Sequence, residues 1–232
     1  MRLVILQPSY LPWLGYFDQM FKSDVFVVYD DVQYDKNGWR NRNRIKTPQG
    51  PQWLTVPVLT SGRSFPLNRE VEINNTASWQ TKHLKSIVQN YRKALFFDQY
   101  IGPVESVLKR PWRFLIDLDM ALVQMLIEQL GLKTRIYFCS DLRIPKTGKT
   151  ERLIGVCRHF SADTFLEGDA GKSYIDEALF VKAGVRLEFH GYRHPVYRQL
   201  HGDFIPYLSA IDLLFNQGRE SLGILTHGKA VS

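Results

Sequence analysis

Short continuous runs of apolar residues alternate along this chain with stretches in which apolar side chains recur every three or four positions. RLVILQ (2–7) is unbroken and ends at QPSY, the pattern of a strand buried on both faces. WLGYFDQMFKS (13–23) sets Leu14, Phe17 and Phe21 close to one helical face. DVFVVYD (24–30) predicts a second strand and WLTVPV (53–58) a third, with Pro57 marking an edge or a bulge. Residues 59–76 are rich in turn formers. Beyond them Leu84, Ile87, Val88 and Tyr91 keep helical spacing, and a helix over about 113–130 aligns Leu115, Leu118, Leu122, Met125 and Leu126 before Gly131 stops it. TRIYFCS (134–140), DTFLEG (163–168) and VRLEFHGY (185–192) read as strands. ERLIGVCRHF (151–160), YIDEALFVKAG (174–184) and a segment near 208–217 read as helices, the last followed by a polar tail.

Apolar strands separated by amphipathic helices make βαβ units. The expected fold is α/β: a mainly parallel, doubly wound sheet with flanking helices, Rossmann-like or its HUP-like variant, with a C-terminal α/β extension. Residues 1–232 read as one domain, divisible into a core over 1–145 and a C-terminal α/β part over 146–232. Such sheets bind ligands at the carboxyl ends of their strands. That rule singles out QPSYLPWLGY (7–16), DDVQYDKNGWRNRNR (30–44), SDLRIPKTGKTER (140–152) and EGDAGKSY (167–174).

Composition narrows the partners more than the fold. With 44% hydrophobic and 23% charged residues among 232, the chain can bury a core and is not a disordered polymer. A net charge of +7 favours acidic partners: nucleotides, phosphorylated sugars, nucleic acid or an anionic membrane surface. Cys139 and Cys157 have no CxxC neighbour, so they read as reduced thiols in a cytoplasmic protein. The start, MRLVILQPSY, reads as a first strand rather than a signal peptide, and no apolar run is long enough to span a bilayer.

Four segments carry candidate chemistry. In QPSYLPWLGY, Gln7 and Tyr10 can orient a ligand, and Gly15 allows backbone N–H groups to approach a phosphate; the same residues also suit a rigid, aromatic-packed turn. After the second strand, Asp30 and Asp31 stand where catalytic carboxylates of such folds sit. Arg40, Arg42 and Arg44 offer guanidinium forks for phosphate, and Asn41 and Asn43 offer amides for sugar hydroxyls. A solvated loop with capping aspartates is the plainer alternative. In EGDAGKSY, Lys172 suits an anion, or Glu167 and Asp169 an amine. HGYRHPVYRQLHGDF (190–204) reads as a binding loop that includes His194, not as a metal site, and Cys139 as a buried thiol rather than a nucleophile with His194 as its base.

QPSYLPWLGYFD, SDVFVVYDDVQY, NRNRIK, WLTVPV, HPVYRQ and FIPYLSAIDLLFN with the following Gly218 together resemble the WbqC-like family of bacterial proteins. The resemblance covers nearly the whole chain. It implies work in O-antigen or other surface-polysaccharide biosynthesis, with glycyl-type transfer to an amino sugar as the activity, and it carries over no catalytic residues. The layout of strand, QPSYLPWLGY, strand and DDVQ is also similar to the first βαβ unit of pantothenate synthetase and other HIGH-motif nucleotidyltransferases. Trp13-Leu14-Gly15-Tyr16 occupy the motif's positions and both histidines are absent. Lys146, Lys149 and Arg152 follow in the order of a KMSKS-like loop without being one. An ATP cofactor is therefore left open, and an already activated donor suits the departure.

The expected function is acyl or aminoacyl transfer that forms an amide on an amino sugar, with a nucleotide-linked amino sugar or an activated acyl donor as partner. Asp30 or Asp31 would hold or deprotonate the amine. A non-catalytic nucleotide-sugar or polysaccharide-assembly module is the alternative, and so is a transferase that draws on charged tRNA, with Tyr34 and Trp39 stacking on bases.

Overall fold

The computed structural model describes residues 1–36, 38–59, 66–145 and 147–227. The chain runs through β1 (Arg2–Leu6), α1 (Leu14–Phe21), β2 (Val25–Val28), β3 (Arg42–Thr47), β4 (Gly50–Thr55), β5 (Val58–Leu59) and β6 (Glu72–Ile73). Three helices follow: α2 (Trp79–Tyr91), α3 (Phe97–Leu108) and α4 (Leu115–Leu130). Then come β7 (Arg135–Phe138), α5 (Lys149–His159), β8 (Thr164–Glu167), α6 (Glu177–Ala183), β9 (Arg186–Phe189), α7 (Ala210–Gln217) and α8 (Ser221–His227).

Among the described residues, five strands form the central sheet in the order β7-β2-β1-β8-β9, and every neighbouring pair is parallel. Alternation along each strand explains why both faces are covered. Val4, Phe26, Val28 and Leu166 pack into a large cluster with Leu14 and Phe17 of α1, Leu118 and Leu122 of α4, and Leu214 of α7. Leu3, Ile5, Val25, Val27 and Phe165 turn the other way, onto Leu153 and Val156 of α5 and Phe180 of α6. Strands with no polar face can only be stable between two helical layers. The result is a Rossmann-like α/β fold. Because β8 lies beside β1, the sheet is continuous across position 145.

Two segments depart from the sequence reading. WLTVPV does not join the central sheet. Its first half is the outer strand of an antiparallel hairpin with β3, turning at Gly50 with φ of 107°, and Val58 pairs with Ile73 in a second small ribbon. The stretch between 42 and 55 is too short for the crossover that parallel pairing needs, so an antiparallel return is the available geometry. Within RNRNR, Arg42, Asn43 and Arg44 thus open a strand, while Arg40 and Asn41 stand just before it. The sequence reading also assigned no helix to α3, which holds Gly102 and Pro103. There Tyr100, Val104, Val107 and Leu108 form a buried stripe, and packing overrides the hydrogen bond that Pro103 cannot make. No helix of the described residues is long and apolar enough to cross a membrane.

Candidate functional site

From β1 the chain winds one way, to β2 and β7; from β8 it winds the other, to β9. The crevice between the carboxyl ends of β1 and β8 is therefore the topological switch point, where loops diverge to opposite faces and leave a gap. A cavity of about 760 Å³ lies there. Gln7, Ser9 and Trp13 line it from the turn after β1, and Tyr16 and Gln19 from α1. Tyr29, Gln33, Asp35, Trp39 and Arg40 line it from the segment after β2, Lys149 and Leu153 from α5, and Glu167, Gly168 and Tyr174 from the end of β8.

Glu167 is the last residue of β8 and only 7% exposed. Burial pushes its carboxyl from an ordinary 4.5 up to about 7, against the opposing pull of the Gly168 N–H, which donates at 3.0 Å, and of Tyr174. Gly171 makes room for this side chain: a Cβ there would stand 2.2 Å from Glu167 Cγ. A carboxyl titrating near neutrality inside a cavity can take or give a proton at working pH. Burial also raises the Tyr174 hydroxyl to about 12, so it stays protonated and donates. Arg40 donates to the Pro8 carbonyl at 3.2 Å, and burial lowers its proton affinity. Beneath it, Asp119 of α4 is fully buried with no hydrogen bond to either carboxylate oxygen among the described residues; burial holds its carboxyl strongly towards the neutral form.

Gly15 serves an aromatic wall rather than a phosphate turn. A Cβ at this position would meet the Trp13 indole at 2.2 Å, so the glycine lets that ring fold over the start of α1. The indole is fixed by Tyr192 edge-on at 4.9 Å and by Tyr207 at 5.4 Å. Trp39 forms another wall and contacts Trp53 of β4 at 5.2 Å.

The structure scatters the other sequence candidates. Gln7 and Arg40 share the cavity, with the Gln7 amide oxygen accepting from Asn68 at 3.1 Å. Tyr10 is fully buried and its hydroxyl pairs with His83 Nδ1 at 2.9 Å. Asp30 and Asp31 do not line the cavity. Asp30 accepts from the Ser140 N–H at 3.0 Å and so ties the end of β2 to the end of β7. Asp31 forms a buried ion pair with Arg152 of α5, whose guanidinium also lies 5.1 Å from the centroid of the Tyr29 ring. Cys139 sits beside that pair, its thiol pushed up to about 12 by burial. Asn41 donates to Val56 O at 2.8 Å and Asn43 to Leu11 O at 2.6 Å, both buried, so these amides pin β3 to its neighbours. Arg42 and Arg44 stand outside the cavity on the hairpin, so Asp31 and Arg42 do not face one shared pocket.

Lys172 is exposed and pairs with Asp169 at 2.7 Å. His194 donates through Nδ1 to Pro195 O at 2.8 Å among the rings of Tyr192, Tyr197, Phe204 and Tyr207, and burial lowers its proton affinity. Of the basic residues in SDLRIPKTGKTER, Lys146 lies outside the described residues, Lys149 lines the cavity, and Arg152 is held by Asp31. Tyr34 is buried rather than presented for stacking. Among the described residues no three His, Cys, Asp or Glu side chains gather as a metal ion would require.

Among the lining residues that sequence reasoning passed over are the aromatic Tyr29 and Tyr174 and the polar Gln19 and Gln33. Apolar spacing marks such aromatic side chains as core, and only the strand order shows which of them open onto the crevice.

The family model described as "WbqC-like protein family" matches residues 7–224. A protein of Mycobacterium tuberculosis (strain ATCC 25618 / H37Rv), named "Uncharacterized protein Rv1507c", is 39% identical over 226 residues, covering 95% of each chain. No solved structure matches.

Proposed function

The chain belongs to the WbqC-like protein family, and from that premise we propose that it transfers an activated acyl or aminoacyl group to the amine of a nucleotide-linked amino sugar, in the cytoplasm, for surface-polysaccharide synthesis. The observation that carries this reading is the placing of the Glu167 carboxyl and the Arg40 guanidinium in one cavity at the β1/β8 switch point. Forming an amide needs an unprotonated amine and stabilisation of charge on the acyl oxygen. Glu167 takes the proton as the amine nitrogen bonds to the acyl carbon, while the bond from that carbon to its leaving group breaks. Arg40 faces the oxygen or phosphate that carries negative charge. Gln7 and Gln33 hold sugar hydroxyls, and Trp13, Tyr29 and Tyr174 wall the ring. Asp30 and Asp31 take no proton in this reading; they hold the ends of β2, β7 and α5 in register.

The test is mass spectrometry of nucleotide-linked amino sugars incubated with the protein and acyl or aminoacyl donors, charged tRNA among them. The expected product is the amino sugar heavier by one acyl group. Glu167→Gln should slow its formation about 10²–10⁴-fold, the usual worth of a positioned base. Undiminished turnover by Glu167→Gln removes Glu167 from the chemistry. Saturable sugar-nucleotide binding with no product from any donor replaces the transferase by a binding module.

A further inference from the structure

The hairpin beside the cavity carries a feature that amide transfer does not use. In the β3–β4 register Arg42 stands opposite Thr55 and Arg44 opposite Trp53, while Asn43, Ile45 and Leu54 of the other face are buried. The outer face therefore gathers guanidinium groups and an indole. Arg42 lies 4.7 Å from the Trp53 ring centroid; Arg44 lies 5.4 Å from that of Trp39 and 5.6 Å from that of Trp53. Trp53 is 44% exposed, although most large aromatic side chains here are buried. Arg44 also donates to the Tyr207 carbonyl at 3.2 Å, and the 44%-exposed Tyr207 ring packs on Trp13. Two aromatic arms thus leave the cavity, Trp39 to Trp53 and Trp13 to Tyr207, with Arg44 bridging them.

We infer that this face is a nucleoside diphosphate subsite, in which Arg44 and Arg42 hold the phosphates at the cavity mouth and Trp53 stacks against the base. The inference rests on the reading of the cavity as an amino-sugar site, since a nucleotide sugar joins its sugar to its base through phosphates. Three physical points favour this occupant. Arg42 donates through Nε to the Gly38 carbonyl at 3.3 Å and Arg44 to the Tyr207 carbonyl, so both guanidinium groups are held in place beside an indole, and a fixed pair of cations suits the oxygens of adjoining phosphates. An exposed indole offers a base the flat apolar surface that water does not. A chain of net charge +7 draws a dianion towards the patch.

The experiment is titration of the full chain with uridine diphosphate and adenosine diphosphate, followed by indole fluorescence and calorimetry at low and moderate salt. Quenching of fluorescence and saturable binding are expected. Arg44→Met should weaken binding tenfold or more, with a melting temperature close to wild type. Trp53→Ala should weaken nucleoside diphosphates several-fold while sparing inorganic pyrophosphate, which has no base to stack. Equal affinities in wild type and both variants overturn the subsite. So does tight, steeply salt-dependent binding of tRNA with no response to either diphosphate, which would make the patch an RNA contact. Binding that obeys these expectations without any amide product sinks the transfer chemistry and leaves the subsite standing. Transfer from nucleotide sugars with unchanged KM in Arg44→Met sinks the subsite and leaves the chemistry.

Discussion

Glu167 offers a test of the site that needs no substrate. Its carboxyl titrates at about 7 in the folded chain because it is buried, against an ordinary 4.5. Each tenfold change in proton affinity is worth about 1.4 kcal/mol, so the difference amounts to about 3 kcal/mol. Its sign follows from which state binds the proton more tightly. The folded state does, so its advantage is full below about pH 4.5, declines as pH rises, and is gone once pH passes about 7. Glutamine keeps an oxygen for the Gly168 N–H and cannot ionise. The stability of Glu167→Gln minus that of wild type should therefore rise by about 3 kcal/mol between pH 4.5 and pH 8. Urea unfolding of both proteins across that range measures it, and the difference cancels other groups that titrate there, such as Asp212, raised to about 6 by burial. For a chain of this size the same change is roughly 6–12 °C in melting temperature. A difference that stays flat with pH would show that the Glu167 carboxyl is ordinary, and it would lose its standing as a base. Transfer itself, if carried by Glu167, should rise with pH through an apparent pKa near 7.

The remaining expectations concern the frame of the site. Arg152→Met leaves Asp31 buried without its partner and should cost about 3–5 kcal/mol by denaturant unfolding; Asp31→Asn in the same chain should recover much of it, because it removes the unpaired charge. Gly15→Ala drives a Cβ into the Trp13 indole, which Tyr192 and Tyr207 hold in place, so it should displace that ring, lower the melting temperature by a few degrees, weaken uridine diphosphate-linked amino sugar binding and shift the indole emission. Asp119→Asn removes a buried carboxyl that makes no hydrogen bond in the described structure, and near-equal or higher stability at pH 8 is expected, read from the melting temperature. A marked loss there would show that the ionised carboxylate supports Arg40.

By itself the sequence determined the layered core. Strands apolar on both faces, such as RLVIL and VFVV, and helices with a single apolar stripe have one economical solution, a parallel sheet covered on both sides. It also marked the loop ends where Gln7, Arg40, Lys149 and Glu167 meet, because βαβ chains place their loops at strand carboxyl ends. The tertiary structure decided everything that depends on strand order and hairpin pairing. Asp30 and Asp31 have the look of catalytic acids, yet they take backbone and guanidinium partners once β7 and α5 settle beside β2. Within RNRNR, an extended course already sets Asn41 and Asn43 on the side opposite Arg42 and Arg44; that the asparagine side is the buried one is decided when β4 folds back on β3. Glu167 gains its raised proton affinity only from the neighbours that bury it. Local pattern sets which residues can be strand or helix; the environment of a charge is set by what lies across the gap, and that is long-range.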